Sequence, residues 1–101
     1  MIKHLVLFKL ADQAEGNTKE RNALIIKERI EALTSVIPVI RDIHVWLNHP
    51  DAPAGNYDIV LDALFDSLDD LHTYAVHPEH LKVVAFIGKV KTERVAIDYE
   101  R

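Results

Sequence analysis

Residues 2–10, IKHLVLFKL, alternate with the period of an extended strand: Ile2, His4, Val6, Phe8 and Leu10 fall on one side, Lys3, Leu5, Leu7 and Lys9 on the other. Both sides are apolar in the middle, as in a strand covered on two faces. A polar turn, ADQAEGN, follows, and Asn17 with Glu20 at the third helical position reads as a capping box. From Thr18 to about Ile37 the apolar residues Leu24, Ile26, Ile30, Leu33 and Ile37 recur at roughly helical spacing, and Pro38 closes the segment.

Alternation returns in residues 39–48, VIRDIHVWLN, where Ile43, Val45 and Leu47 oppose Asp42, His44 and Trp46. The stretch HPDAPAG is punctuation without periodicity. Beyond it, YDIVLDALF (57–65) sets Ile59, Leu61, Ala63 and Phe65 against Asp58, Val60, Asp62 and Leu64. Ser67 with Asp70 opens a short helix through about Val76. Pro78 takes the first position of a further helix to about Gly88, and ERVAIDYE ends the chain as a strand.

The order β-α-β-β-α-α-β predicts one α+β domain over residues 1–101: a ferredoxin-like protomer with a four-stranded antiparallel sheet, strands one and three in its middle. The helices can cover only one face of that sheet. On the other, Leu5, Leu7, Val60 and Leu64 leave an apolar patch too large for a soluble monomer, so a homodimer packed sheet against sheet is expected. Asp42, His44 and Trp46 belong on an edge strand, where dimer contact or a solvated rim accounts for them.

Composition narrows the function. Hydrophobic residues make up 49% and charged residues 28% of the 101, as in ordinary globular proteins. No apolar run reaches the roughly 20 residues of a membrane span, and no signal peptide is read at the N-terminus, so no membrane partner and a cytoplasmic location are expected. The absence of cysteine excludes disulfides and thiolate chemistry. Sixteen acidic against twelve basic residues give a charge of −4, and the basic ones are dispersed, which argues against a nucleic-acid partner. With no phosphate loop, dinucleotide fingerprint or Ser-His-Asp order, no cofactor is expected.

Candidate chemistry concentrates in YAVHPEHL, residues 74–81. His77 precedes Pro78 and reads as a helix cap rather than a catalyst. His72, His77 and His80 with Glu79 match no standard zinc spacing. Asp66, Asp69 and Asp70 are helix-start carboxylates favoured by the dipole.

The segments IKHLVLFKL, YDIVLDALFDSLDDLHTYAVHPEHLKVV and VAIDYE, in that order, resemble the stress-responsive A/B barrel (Dabb) family over essentially the whole chain. The resemblance implies a ferredoxin-like protomer paired into a dimeric α/β barrel. Most such proteins have no established reaction; some plant members look like stress-linked oligomers, and one plant branch consists of polyketide cyclases that use no cofactor. A cyclase-type site carried over falls on His80 as acid/base, Tyr74 as its phenolic partner and His4 on the first strand. The third-strand position where such relatives can present a further histidine is Ile59 here, so the substrate class does not carry over. Some relatives hold magnesium on backbone carbonyls at the end of the first helix, here near Leu33 to Val36.

Two functions of different class follow. One is a cofactor-independent cyclase- or isomerase-like enzyme, or binding protein, for a small apolar carbonyl compound. Its His80, kept neutral by the helix start, takes a proton next to the carbonyl while Tyr74 or His4 bonds the oxyanion. The other is a non-catalytic stress-related dimer with a structural or assembly role. The first requires an open cavity in front of the three residues, the second a filled core.

Overall fold

The computed structural model describes residues 1–101. Strand β1 (Ile2–Leu10) is followed by a small ribbon of β2 (Gln13–Ala14) and β3 (Asn17–Thr18), then helix α1 (Lys19–Glu31) and a 3₁₀ turn (Ala32–Ser35). Strands β4 (Asp42–Leu47) and β5 (Ile59–Phe65), helices α2 (Leu68–Ala75) and α3 (Pro78–Val90), and strand β6 (Lys91–Glu100) complete the chain. The sheet order is β4-β5-β1-β6, antiparallel throughout, so β1 and β5 are central as their two apolar sides require. This is the expected ferredoxin-like α+β fold.

Register separates the two faces. Ile2, Val6 and Phe8 of β1 lie beside Phe65, Leu61 and Ile59 of β5, and all six are buried under the helices. Ile26, Ile30, Leu33 and Ile37 pack onto them from the first helical segment, with Leu71, Tyr74, Val83 and Ile87 from α2 and α3. Leu24 does not join them and is 47% exposed. It stands two residues from Ile26, about 200° around the helix, so Ala23 takes the inward place.

The turn after β1 is more ordered than its polarity suggests. Glu15 (φ 51°) and Gly16 (φ 75°) both adopt the left-handed region, as a two-residue type I′ hairpin demands. The ribbon shifts the helix cap by one residue: Thr18, not Asn17, accepts from the Arg21 N–H at 3.2 Å. Asn17 instead donates to Oδ1 of Asn22, whose own Nδ2 donates to the Ala14 carbonyl at 3.1 Å. Asn22 is the one fully buried polar residue of the core, and its bonds hold the ribbon against α1.

Regular helix also ends sooner than Pro38 alone implies. At Ala32 the chain tightens into the 3₁₀ turn, where Ser35 Oγ donates to the Ala32 carbonyl at 2.9 Å. Serine and threonine offer the backbone such local partners and so compete with helix. Glu31, on the last turn, accepts from Lys27 Nζ at 2.7 Å and from the Val45 N–H at 3.0 Å, while Lys27 also donates to the Val45 carbonyl at 2.7 Å. Burial raises the Glu31 carboxyl, but Lys27, the Val45 amide and His44 outweigh it and hold the group below its usual range. The pair satisfies backbone groups of edge strand β4 that would otherwise be open to another strand.

Leu5, Leu7, Val60 and Leu64 are half-buried on the face without helices, where Trp46, Val95, Ile97 and Tyr99 are exposed. All ten residues of β6 are exposed. No helix is long and apolar enough to cross a membrane. Replacing the buried Asn22 with alanine removes the donor to the half-buried Ala14 carbonyl and the acceptor for Asn17, and is expected to lower stability by about 1–3 kcal/mol, measured by urea unfolding.

Candidate functional site

The joint between α2 and α3 is built from the opening of YAVHPEHL. The His77 N–H donates to the Tyr74 carbonyl at 3.1 Å, ending α2, and its Nδ1 accepts from the Glu79 N–H at 3.1 Å, starting α3 with Pro78 in the first turn. His77 is therefore the cap its position before proline predicts, with φ −63° and ψ 134° outside the helix region.

Because the joint is this tight, it stacks its two neighbours. The rings of Tyr74 and His80 lie 4.2 Å apart between centroids, tilted by 38°. Nδ1 of His80 is 2.9 Å from the Ala75 carbonyl oxygen. A carbonyl only accepts, so Nδ1 carries the proton and Nε2 keeps a lone pair. Burial, foremost, lowers the His80 pKa; the Ala75 carbonyl opposes it, and repulsion from His4 and His77 adds to it. Desolvation, not the helix start, is thus the main cause that favours the neutral imidazole.

His4 enters from β1. Its ring centroid is 6.4 Å from that of Tyr74 and 6.4 Å from that of Phe65, edge-on to both. Nδ1–H of His4 donates to Oδ1 of Asp98, its partner across the β1–β6 register. That bond leaves Nε2 of neutral His4 as an acceptor.

Tyr74 lies between the two histidines and is 1% exposed. Its hydroxyl is buried with no hydrogen-bond partner, an arrangement that costs about 1–3 kcal/mol. Burial pushes the phenol far above its ordinary range, so it stays protonated and remains a donor at any physiological pH.

These three residues share the wall of a cavity of about 590 Å³ between α2, α3 and the helix-facing side of β1 and β6. The volume lies within the roughly 300–1,000 Å³ of small-molecule sites. Ten of its seventeen lining residues are hydrophobic, among them Val6, Phe8, Leu61, Leu71 and Ile87. The space required by a ligand is open.

Asp98, Lys91 and Arg94 also line the cavity, and sequence reasoning missed all three. Their signal was the alternation of ERVAIDYE, which places Arg94 and Asp98 on one face of β6. Only strand pairing shows that this face looks into the cavity.

No three His, Asp or Glu side chains gather where they could share a metal ion. Around Leu33 to Val36, the Leu33 carbonyl accepts from the Val36 and Ile37 amides at 3.0 and 2.9 Å, and the Ala32 carbonyl from Ser35.

The family model for the Stress responsive A/B Barrel Domain, Dabb, matches residues 2–101. The chain belongs to the Dabb family. An uncharacterized protein of Streptomyces coelicolor is 35% identical over 103 residues, covering 99% of each chain. A stress-response A/B barrel domain-containing protein of Arabidopsis thaliana is 24% identical, and this Dabb chain spans only 46% of its length. Among solved structures, a dimeric ferredoxin-like protein of unknown function from Bacteroides fragilis superposes with a TM-score of 0.82 at 40% identity, over 99% of this chain and 95% of that one. The hydroxynitrile lyase of Passiflora edulis shares the fold, with a TM-score of 0.75 at 14% identity over 97% of this chain and 90% of that one.

The sign of the His80 shift makes a pH prediction. A folded pKa below the unfolded value of about 6.5 means that the unfolded chain takes up the proton first as pH falls. His80 therefore favours the fold fully above pH 6.5, and that support is lost on acidification through the folded pKa. The stability of the wild type relative to His80→Gln is expected to decline across that window in urea titrations at stepped pH. A constant difference would contradict a depressed pKa.

Proposed function

We propose that this Dabb protein works as a homodimer and that its cavity binds a small, largely apolar carbonyl compound, which it transforms by cofactor-free acid–base chemistry. The observation that carries the reading is the buried, unpartnered Tyr74 hydroxyl beside the neutral imidazole of His80, in an apolar-lined cavity. A donor without an acceptor and a ring nitrogen with a free lone pair, on two stacked rings, are the two groups an enolisation needs.

Nε2 of His80 removes the proton next to the carbonyl, and the Tyr74 O–H, closed off in the free protein, donates to the developing oxyanion once its side chain shifts toward the ligand. The Nδ1 side of His4 is taken by Asp98, so the pair fixes the polar end of the pocket, and the donor role is assigned to Tyr74. Returning the proton from His80 to a different carbon gives an isomerase outcome; attack of the enolate carbon on a second carbonyl of the same ligand, whose oxygen then takes the proton from His80, gives a cyclase outcome, and neither needs a redox partner.

For the dimer, the support lies in the uncovered sheet face. Val95, Ile97 and Tyr99 of β6 and Trp46 of β4, each 43–58% exposed, flank half-buried Leu5, Leu7, Val60 and Leu64. A second copy laid on this face buries them in the way an isologous interface does. Relatives of the same fold from Bacteroides fragilis and Thermobifida fusca are described as dimeric.

Catalysis is tested by deuterium exchange at the α-carbon of a panel of apolar ketones in heavy water, followed by NMR. The wild type is expected to accelerate exchange, His80→Ala to abolish the acceleration, and Tyr74→Phe to reduce it by about 100- to 1,000-fold. Because the Tyr74 hydroxyl is unpaired, Tyr74→Phe is also expected to hold or raise stability by about 1–3 kcal/mol. Exchange unaffected by both substitutions would leave the assembly role as the function. Assembly is tested by gel filtration: Ile97→Asp is expected to shift the wild-type dimer to monomer, and a wild type eluting as a monomer would overturn it.

A further inference from the structure

The proposed chemistry uses one end of the cavity and leaves the other unexplained. Asp98 sits opposite His4 in the register and Arg94 opposite Phe8, so the two are four residues apart on β6, about 13 Å along the strand. The cavity extends over both. At the far end Lys91 joins Arg94 on the wall.

Both belong to the exposed strand β6, whose own carboxylates are engaged elsewhere. Asp98 is engaged by His4, and Glu93 lies 3.7 Å from Lys9 and accepts from Tyr57, on the other side of the strand. No carboxylate forms an ion pair with Lys91 or Arg94. Leu68 (61% exposed) and Val84 (43% exposed) present apolar surface to the same cavity.

We infer that the ligand is an amphiphile with a carboxylate: its anionic head lies between Arg94 and Lys91, its hydrocarbon body along the apolar wall, and its reacting carbonyl at His80 and Tyr74. This deepens the proposed function and rests on the cavity being a ligand site. Arginine suits the head because its planar fork takes both carboxylate oxygens at once, and lysine adds a mobile point charge. Both cations are exposed, so their attraction for the head is screened by salt, and the apolar wall supplies the rest of the binding. Arg94 and Lys91 are then specificity-determining residues: they select the substrate by its far end and orient the near end toward the base.

The test uses three probes of equal chain length, octanoate, octan-1-ol and octylamine, with calorimetric titration at low salt. The wild type is expected to bind octanoate at least about tenfold more tightly than octan-1-ol and to bind octylamine most weakly. Arg94→Gln and Lys91→Gln are each expected to reduce octanoate binding about five- to tenfold while leaving octan-1-ol within twofold, which also shows that the variants are folded. Arg94→Lys is expected to restore part of the preference, and raising the salt to weaken octanoate alone.

A wild type that binds octanoate and octan-1-ol equally, or prefers octylamine, overturns the inference whatever the variants do. So does a head-group preference that survives the double change Arg94→Gln, Lys91→Gln. None of the probes is read by turnover, so failure of the exchange assay leaves this result standing, and loss of the preference leaves the assignment of His80 and Tyr74 standing.

Discussion

In the register that β1 adopts, His4 has Ala63 of β5 on one side and Asp98 of β6 on the other, and every second residue beyond it faces the helices. A slip by one residue would turn Leu5 and Leu7 into the core and Val6 and Phe8 out of it. It would also separate His4 from Asp98 and swing Arg94 away from the cavity. The core, the candidate site and the apolar outer face are thus consequences of one pairing, which is held by the packing of Ile26, Ile30 and Phe65, all fully buried.

Stability and chemistry pull apart at Tyr74. The residue fills the space between Phe65, His4 and His80 with aromatic contacts, yet leaves its hydroxyl without a partner. A phenylalanine would pack as well and avoid the unpaired group. In the proposed function this unpaired group is the donor that ligand entry uncovers, kept at a cost in stability.

Much of this was legible in the chain. Local rules place the elements well where capping chemistry is strong: Ser67 and His77 cap their helices as read, with Pro78 in the first turn. They fail where partners are distant or competing. Asn17 carries a good capping side chain, but a hairpin with two left-handed residues delivers Thr18 to that position instead. Leu24 looks like a core residue by type and lies on the solvent side by angle. The early end of α1 depends on Ser35 and on the turn that Leu33 closes.

Among the site residues, Tyr74, His80 and His4 were visible as candidates because their types stand near a helix joint and on an inner strand. Asp98, Lys91 and Arg94 were not, because nothing local distinguishes an exposed strand's charged residues facing solvent from the same residues facing a cavity. Alternation, caps and prolines are properties of neighbouring residues, so the sequence by itself determined the strands, the helices, the two-faced centre of the sheet and the joint at YAVHPEHL. Register and enclosure are properties of residues far apart in the chain. Only the tertiary structure decided that His4 meets Asp98, that Tyr74 is sealed without an acceptor, and that the space before them is open.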